Sequence, residues 1–303
     1  MGKPPGFPLR PFPRSSAGKQ PMTSTTLEVG RPRESPFGRI WALVKHHVLM
    51  VYALLAFVYL MLPIAVVIAF SFNNPAGRFN FTWQGFTFRN WTNPFGYPGL
   101  RESVVLSIQI ALLSSFVATV LGTMIALALV RYGFRGRGLV NLLIFVPMAT
   151  PEIVMGASLL ALFVSWRYAQ GFMTILIAHI MFNISYVVVT VKARLVGFDR
   201  HLEEAAMDLG ANEWATFRKV TLPLIMPGIL AGGLLAFALS VDDFVITYFN
   251  AGPKTTFPLF VWGAARVAVP PQINVIGTLI FVVAVGGMLV NVLLQNRRAR
   301  ASA

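Results

Sequence analysis

The sequence predicts an all-α membrane protein that crosses the bilayer six times. Of its 303 residues, only 12% are charged and 56% are hydrophobic, and the mean hydropathy is +0.67. A soluble domain of this size carries about 25% charged residues. The apolar residues fall in runs of about 20, the length that an α-helix needs to cross the hydrocarbon core. So little charge excludes the soluble globular, disordered and collagen-like classes.

Six apolar runs are long enough to be membrane spans. They are Val48–Phe70, Ser103–Val130, Leu139–Ser165, Gly171–Val191, Val220–Val245 and Ile273–Leu294. The first run is too long for the apolar region of a signal peptide, and it follows a long polar tail. We therefore expect it to be an uncleaved helix rather than a signal peptide.

The lysines and arginines predict the orientation, because cytoplasmic loops of membrane proteins are enriched in them. With both termini inside the cell, the inner segments hold 19 basic residues and the outer segments hold six. This bias predicts an inner-membrane protein with both termini in the cytoplasm. It also attributes most of the net charge of +14 to topology, so the charge does not require a nucleic-acid partner.

Composition divides the chain into three parts. Residues 1–45 contain eight prolines and are predicted to form a disordered, basic cytoplasmic tail. Residues 46–297 are predicted to form the six-helix membrane domain, and residues 298–303 a short cytoplasmic tail. The chain has no cysteine, which excludes disulfides, thiolate metal sites and cysteine nucleophiles. The four histidines are scattered, so no metal site is predicted.

The predicted cytoplasmic loop at residues 192–219 is long, polar and helical in character. An apolar stripe recurs there at helical spacing, made by Leu202, Ala205, Ala206 and Leu209. Gly210 then permits a helix end and a turn, and Glu213–Lys219 predicts a second short helix. A short amphipathic helix between two spans can dock onto a cytoplasmic partner or rest on lipid headgroups, and the residue pattern alone leaves both interpretations open.

The same loop resembles a known motif. It contains Glu204-Ala205-Ala206, then Gly210, then Val220-Thr221-Leu222-Pro223 after nine residues. This is similar to the E-A-A-x3-G-x9-I-x-L-P signature of permease subunits of binding-protein-dependent ABC importers, with Val in place of the usual Ile. The resemblance extends over about residues 45–297 and implies the type I importer permease fold. It also implies that the first helix is a coupling helix that sits in a cleft of an ATPase subunit. The residues that it assigns to ATPase coupling are Glu204, Ala205, Ala206, Leu209, Gly210 and Pro223.

Acidic residues inside the predicted spans are candidates for a solute pathway, because a charge in the membrane interior is costly. Glu152 follows Pro147 and Pro151 in the third span, where an interrupted helix is tolerated if it is buried or lines a cavity. Asp242 and Asp243 lie near the outer end of the fifth span. No lysine or arginine lies within a span to pair with these acids.

These carboxylates suit a cationic, methylene-rich solute, because carboxylates and aromatic faces both attract ammonium groups. The aromatic candidates are Trp166, Tyr186, Phe244, Tyr248 and Phe249. Structural alternatives stay open: Glu152 as a protonated or paired carboxyl, and the two aspartates as a solvated helix end or a salt bridge to a neighbouring permease. Consecutive helix residues point about 100° apart, so both aspartates are not expected to face one pore squarely. The pattern does not decide which of them does.

Two further segments are similar to polyamine permeases within that family, specifically to the second permease subunit of putrescine and spermidine transporters. The first is Pro151–Leu160, and the second is Leu222–Gly228 followed by Ser240–Ile246. The resemblance implies a transport subunit with no catalytic residues, which forms half of a translocation pathway. Its implied partners are an ATPase dimer that binds ATP and Mg²⁺, a second permease subunit with which a hetero-dimer is expected, and a periplasmic solute-binding protein. The sequence does not decide whether the second permease is identical to this chain or different.

Two other classes of function were weighed. A self-sufficient secondary transporter or channel for a small cationic solute usually shows internal repeats or paired broken helices, and no convincing duplicate occurs here. An intramembrane enzyme needs a converging catalytic set, which the sequence does not show. The chain also has no G-x-x-x-x-G-K-[ST] motif, so ATP is expected to be hydrolysed by a separate subunit.

Overall fold

A computed structural model describes the backbone of residues 36–301, apart from Arg78 and Ala268. Side chains are described for residues 47–287, again without these two, and at Leu289 and Leu293. Residues 1–35 of the predicted N-terminal tail lie outside the described residues. Within the described part the chain is helical and contains no strand, which confirms the all-α class. The chain divides into two compact units, residues 1–59 and 60–303.

Twelve α-helices follow one another along the described residues. They are α1 (Pro36–Ser71), α2 (Arg89–Thr92), α3 (Leu100–Arg131), α4 (Arg137–Ala149), α5 (Glu152–Ser165), α6 (Phe172–Val196), α7 (His201–Asp208), α8 (Glu213–Thr216), α9 (Leu222–Asp242), α10 (Val245–Asn250), α11 (Phe257–Val267) and α12 (Pro271–Ala301). One π-helical turn, Phe217–Thr221, connects α8 to α9.

Helices α3, α6 and α9 pack against one another and form the centre of the second unit. Their contacts are made by small and β-branched side chains, which allow close approach of helix backbones. Gly122 of α3 is an example of this close approach, since a Cβ added there would lie only 2.8 Å from the Cβ of Val187 on α6. The fully buried core residues include Ala118, Ala126, Leu129, Val187, Val191, Ile225 and Ala236.

The predicted third span is interrupted, as its prolines indicate. Helices α4 and α5 meet at an angle of 108°. The break lies at Thr150 and Pro151, where Thr150 is extended (φ −80°, ψ 133°). Proline disfavours helical backbone at the residue before it and has no N–H to continue the helix, so the chain bends there. The segment Leu139–Ser165 is therefore two helices rather than one straight span.

Four described helical segments are long and apolar enough to cross a membrane: His47–Ser71, Leu100–Arg131, Phe172–Val196 and Glu213–Asp242. The bent pair α4–α5 meets the same criterion as a fifth span. The apolar part of α12 that is described, Pro271–Gly287, is shorter. These described segments are compatible with six spans, and the count of six stays a prediction.

Candidate functional site

The loop between α6 and α9 exposes an apolar surface. No residue of α7 is buried, and the side chain of Leu209 at its C-terminal end is 90% exposed. Leu202, Met207 and Trp214 are also exposed. We call these four residues and α7 the EAA surface. An exposed apolar patch on a structured helix is typical of a protein–protein contact.

The structure places the predicted coupling residues along this surface and at the start of α9. Glu204, Ala205, Leu209 and Gly210 are exposed, Ala206 is half-buried, and Pro223 is exposed in the first turn of α9. Five of the six therefore lie together, and Pro223 marks where the loop enters the bundle.

Gly210 ends α7 in a left-handed conformation. Its φ is +89°, and its N–H donates to the carbonyl of Met207 over 2.9 Å. The next N–H, that of Ala211, donates to the carbonyl of Ala206 over 3.0 Å. These two hydrogen bonds form a Schellman motif, in which glycine avoids the steric cost that a side chain pays at positive φ. Asn212 then caps α8, because its Oδ1 accepts from the N–H of Ala215 over 2.8 Å.

An ion pair ties the start of α7 to the helix bundle. The guanidinium of Arg131, the last residue of α3, donates to Glu203, and the hydroxyl of Thr221 donates to the same carboxylate oxygen. The Glu203 side chain is 12% exposed. The sequence analysis did not select Glu203, since its partners lie far away along the chain and only the fold brings them together.

The pair Asp199–His201 at the N-terminus of α7 sets a local pH dependence. His201 Nδ1 lies 2.7 Å from Asp199 Oδ1, which also accepts from the His201 backbone N–H over 3.0 Å. The side-chain hydrogen bond raises the pKa of His201 above its ordinary 6.5, and it lowers the pKa of Asp199 below 3.8. Both side chains are exposed, so solvent screens their interaction.

We expect this pair to be strongest at mildly acidic pH. Its histidine contribution is complete below pH 6.5 and is lost as pH rises through the raised pKa of His201. Its aspartate contribution is present above pH 3.8 and is lost as pH falls through the lowered pKa of Asp199. An NMR titration of the His201 ring should return toward an ordinary midpoint in Asp199→Asn. An unchanged midpoint in that variant would show that Asp199 does not hold the proton on His201.

The acidic and aromatic residues predicted for a solute pathway lie around two helix breaks. Asp242 is the last residue of α9 and is exposed, whereas the side chain of Asp243 in the break between α9 and α10 is only 7% exposed. Glu152 is the first residue of α5, directly after the other break, and is exposed.

Helix α5 packs against α10, which brings the two breaks into one region of the bundle. The amide of Asn250 donates to the carbonyl of Gly156 over 3.3 Å. A Cβ added to Gly156 would lie 2.8 Å from the ring of Phe249, so glycine permits this close contact. The sequence predicts the break before α5, whereas the break between α9 and α10 and its proximity to α5 are seen only in the structure.

Aromatic rings follow the break at the end of α9. The Phe244 ring centroid lies 5.6 Å from that of Tyr248 and 5.1 Å from that of Trp262, and Tyr248 and Phe249 make an edge contact at 5.7 Å. Trp166 is exposed at the C-terminal end of α5, which is the end remote from Glu152. An open cleft of about 570 Å³ next to this cluster is lined by Tyr248, Trp262 and Lys254, but by neither Glu152 nor Asp242.

The buried Asp243 has a partner within this chain that the sequence analysis missed. Its Oδ2 lies 3.3 Å from Nε2 of His179 on α6. The same oxygen accepts from the backbone N–H of Thr247 over 2.8 Å and from its hydroxyl over 2.7 Å. His179 is neither lysine nor arginine, and it lies on a predicted span together with Asn183 and Ser185, so only the fold shows which of these polar groups meets Asp243. Within the described residues no group of three metal-ligating side chains converges here or elsewhere.

Comparison with known proteins identifies the family. Residues 118–300, more than half of the chain, match the model of binding-protein-dependent transport system inner membrane components. The chain is 38% identical to the spermidine/putrescine transport system permease protein PotC of Escherichia coli K12 over 81% of this chain and 93% of PotC. It is 40% identical to the putrescine transport system permease protein PotI of the same strain, over 76% of this chain and 84% of PotI.

Solved structures show the same fold. A chain of a bacterial ABC transporter involved in the import of alginate superimposes with a TM-score of 0.61 at 16% identity, covering 86% of this chain and 98% of that one. A chain of the MetNI methionine ABC transporter gives a TM-score of 0.53 at 16% identity, covering 67% and 96%. These structures confirm the importer permease fold. The family match and the two relatives show a transport subunit rather than an enzyme or a self-sufficient transporter. The family works with an ATPase and a solute-binding protein. The chain thus belongs to the binding-protein-dependent transport system inner membrane components, the permease subunits of ABC importers.

Proposed function

We propose that this permease carries polyamines, putrescine or spermidine, and that Glu152 and Asp242 attract the solute in its half of the translocation pathway. The observation that carries the proposal is that both carboxylates are exposed at breaks of helices long enough to span a membrane. Exposed charges in such a position suit a water-filled pathway better than a lipid contact. Two permeases of polyamine systems are among the relatives, at 38% and 40% identity.

Phe244 and Tyr248 complete the chemistry that a polyamine requires. A polyamine alternates ammonium groups with methylene chains, so it needs carboxylates for the charges and ring faces for the chains. The Phe244 and Tyr248 rings lie directly after Asp242 along the chain and contact each other.

The EAA surface is proposed to receive the ATPase subunit. Its exposed apolar side chains and its rigid attachment through Glu203 suit a helix that transmits motion into α3 and α9. An ATPase dimer would bind ATP and Mg²⁺, and this chain would bind neither. Closing of that dimer would draw two such surfaces together and rock the bundles between two states.

The proposed assembly contains a second permease of different sequence, two ATPase subunits and a periplasmic solute-binding protein. Both termini and the EAA surface are proposed to face the cytoplasm, since the basic residues are concentrated in those segments. Asp242 then lies toward the periplasmic side, where the solute would enter. The membrane is the cell inner membrane.

The test is reconstitution of the whole transporter in liposomes. With ATP supplied to the ATPase side, we expect uptake of labelled spermidine and putrescine that requires the binding protein. Choline, which carries one positive charge, and leucine should not compete. Uptake by the purified chain alone would favour a self-sufficient transporter, and uptake of leucine without uptake of polyamines would exclude the proposed solute.

A further inference from the structure

Five buried or nearly buried polar side chains connect α3, α6, α9 and α10 around Asp243. They are Ser114, His179, Ser240, Asp243 and Thr247. Ser240 Oγ lies 3.1 Å from Ser114 Oγ and 2.6 Å from His179 Nδ1. His179 Nε2 lies 2.9 Å from Thr247 Oγ1. A buried polar network in which every member has a partner holds its side chains in one arrangement.

The hydrogen bonds of this network link Asp243 to side chains of α3, α6, α9 and α10. The Thr247 hydroxyl donates to Oδ2 of Asp243, and Nε2 of His179 lies beside both of these oxygens. Nδ1 of His179 is hydrogen-bonded to Ser240 Oγ, which is hydrogen-bonded in turn to Ser114 Oγ. The ionised carboxylate of Asp243 acts only as an acceptor.

Both oxygens of Asp243 are used to hold the start of α10. Oδ1 accepts from the backbone N–H of Ile246 over 3.3 Å, and Oδ2 accepts from that of Thr247 over 2.8 Å. These two amides belong to the first turn of α10 and have no partner within that helix. The carboxylate is therefore engaged by protein on both oxygens and is nearly closed to solvent.

We propose that Asp243 is a positioning residue and that Asp242 alone of the two contacts the cationic solute. Through His179 and the first turn of α10, Asp243 fixes the break between α9 and α10. The fixed break orients Asp242 and Phe244 toward the pathway. The solute contact rests on the proposed function, whereas the positioning role of Asp243 rests on the network itself.

Cysteine accessibility tests the positioning without reference to the solute. The chain has no cysteine of its own, so each introduced thiol is the one reactive site in this subunit. In the assembled transporter, D242C should react with a cationic methanethiosulfonate reagent about tenfold faster than D243C, because burial slows thiol reactions. Adding Asp243→Asn or His179→Gln to D242C should change its rate by about threefold or more, since Asp242 loses its fixed orientation. Glu102→Cys, at an exposed position in the first turn of α3 that belongs to neither helix break nor the EAA surface, is the control, and its rate should not change.

Uptake of two solutes of different charge tests the division of roles. Asp242→Asn should weaken the apparent affinity for spermidine, with three charges, more than that for putrescine, with two. Asp243→Asn should lower the uptake of both solutes by one common factor. The uptake rate of the double variant Asp243→Asn/His179→Gln should be no lower than that of the less active single variant, because the two residues act as a unit.

The two ideas can fail separately. If Asp243→Asn changes the ratio of spermidine to putrescine uptake as Asp242→Asn does, or if D243C reacts as fast as D242C, the positioning role is wrong. If the wild-type transporter carries neither polyamine, the proposed solute is wrong, and the thiol reaction rates still decide the role of Asp243.

Discussion

Neutralising Glu152 should lower the ATP-dependent uptake of spermidine by about tenfold or more. A carboxylate that contacts an ammonium group near 4 Å gains up to about 4 kcal/mol at an effective dielectric constant near 20, and about 1.4 kcal/mol already corresponds to tenfold. Glu152→Gln keeps the size and shape of the side chain and removes its charge, while one acceptor oxygen is replaced by an NH2 donor. The measurement is the initial rate of labelled spermidine uptake into liposomes that contain the whole transporter.

The double variant Glu152→Gln/Asp242→Asn should abolish measurable uptake, since both exposed carboxylates of this half of the pathway are then neutral. Glu102→Gln is the matched control, because Glu102 is an exposed carboxylate in the first turn of α3 and belongs to neither helix break. Its uptake should equal that of the wild type. If Glu152→Gln assembles normally and transports at the wild-type rate, Glu152 is a structural carboxyl and not a pathway residue.

Substitution of Gly210 by valine should uncouple ATP hydrolysis from transport while the chain still inserts into the membrane. Valine at φ +89° costs about 1–2 kcal/mol, which shifts the population of the native turn about five- to thirtyfold. The Schellman motif that ends α7 would open, and Leu209 would leave its place at the end of the EAA surface. Uptake per ATP hydrolysed, measured in the reconstituted transporter, should fall accordingly.

Gly197 provides the matched control for this prediction. It lies in the same loop, and an added Cβ at either glycine would meet no atom within 4 Å. The φ of Gly197 is −88°, on the negative side that L-residues occupy, so Gly197→Val avoids the cost of positive φ and should remain coupled. Gly210→Asn should retain more coupling than Gly210→Val, because asparagine tolerates positive φ. Equal coupling in all three variants would show that the positive φ at Gly210 has no role in docking.

Much of the architecture follows from local sequence. The spans are predicted by apolar runs that are long enough, as α-helices, to cross the hydrocarbon core of a bilayer. This prediction needs no knowledge of the fold. Pro147 and Pro151 predict an interrupted third span, because the loss of an N–H and the restriction on the preceding residue act locally. The turn at Gly210 is likewise local, since helix ends favour glycine at positive φ.

The coupling motif shows where such local prediction ends. The spacing from Glu204 to Pro223 identifies the loop, and the family match confirms the class of protein. The residue that attaches α7 to the bundle, however, is the neighbouring Glu203. Its partner Arg131 lies 72 positions earlier, and no periodicity connects the two.

The sequence alone determined that this chain is a helical membrane protein with a broken third span and a helical loop before the fifth, because hydrophobicity, proline and glycine act over a few residues. Its class as a permease came from the resemblance of the loop motif to a known family. Only the tertiary structure decided that Asp242 is exposed while Asp243 is buried against His179, 64 positions away. Neighbouring residues of the same type look identical in a sequence. Their environments differ only in the folded chain, where a helix from elsewhere in the sequence packs against one of them and supplies its hydrogen-bond partner.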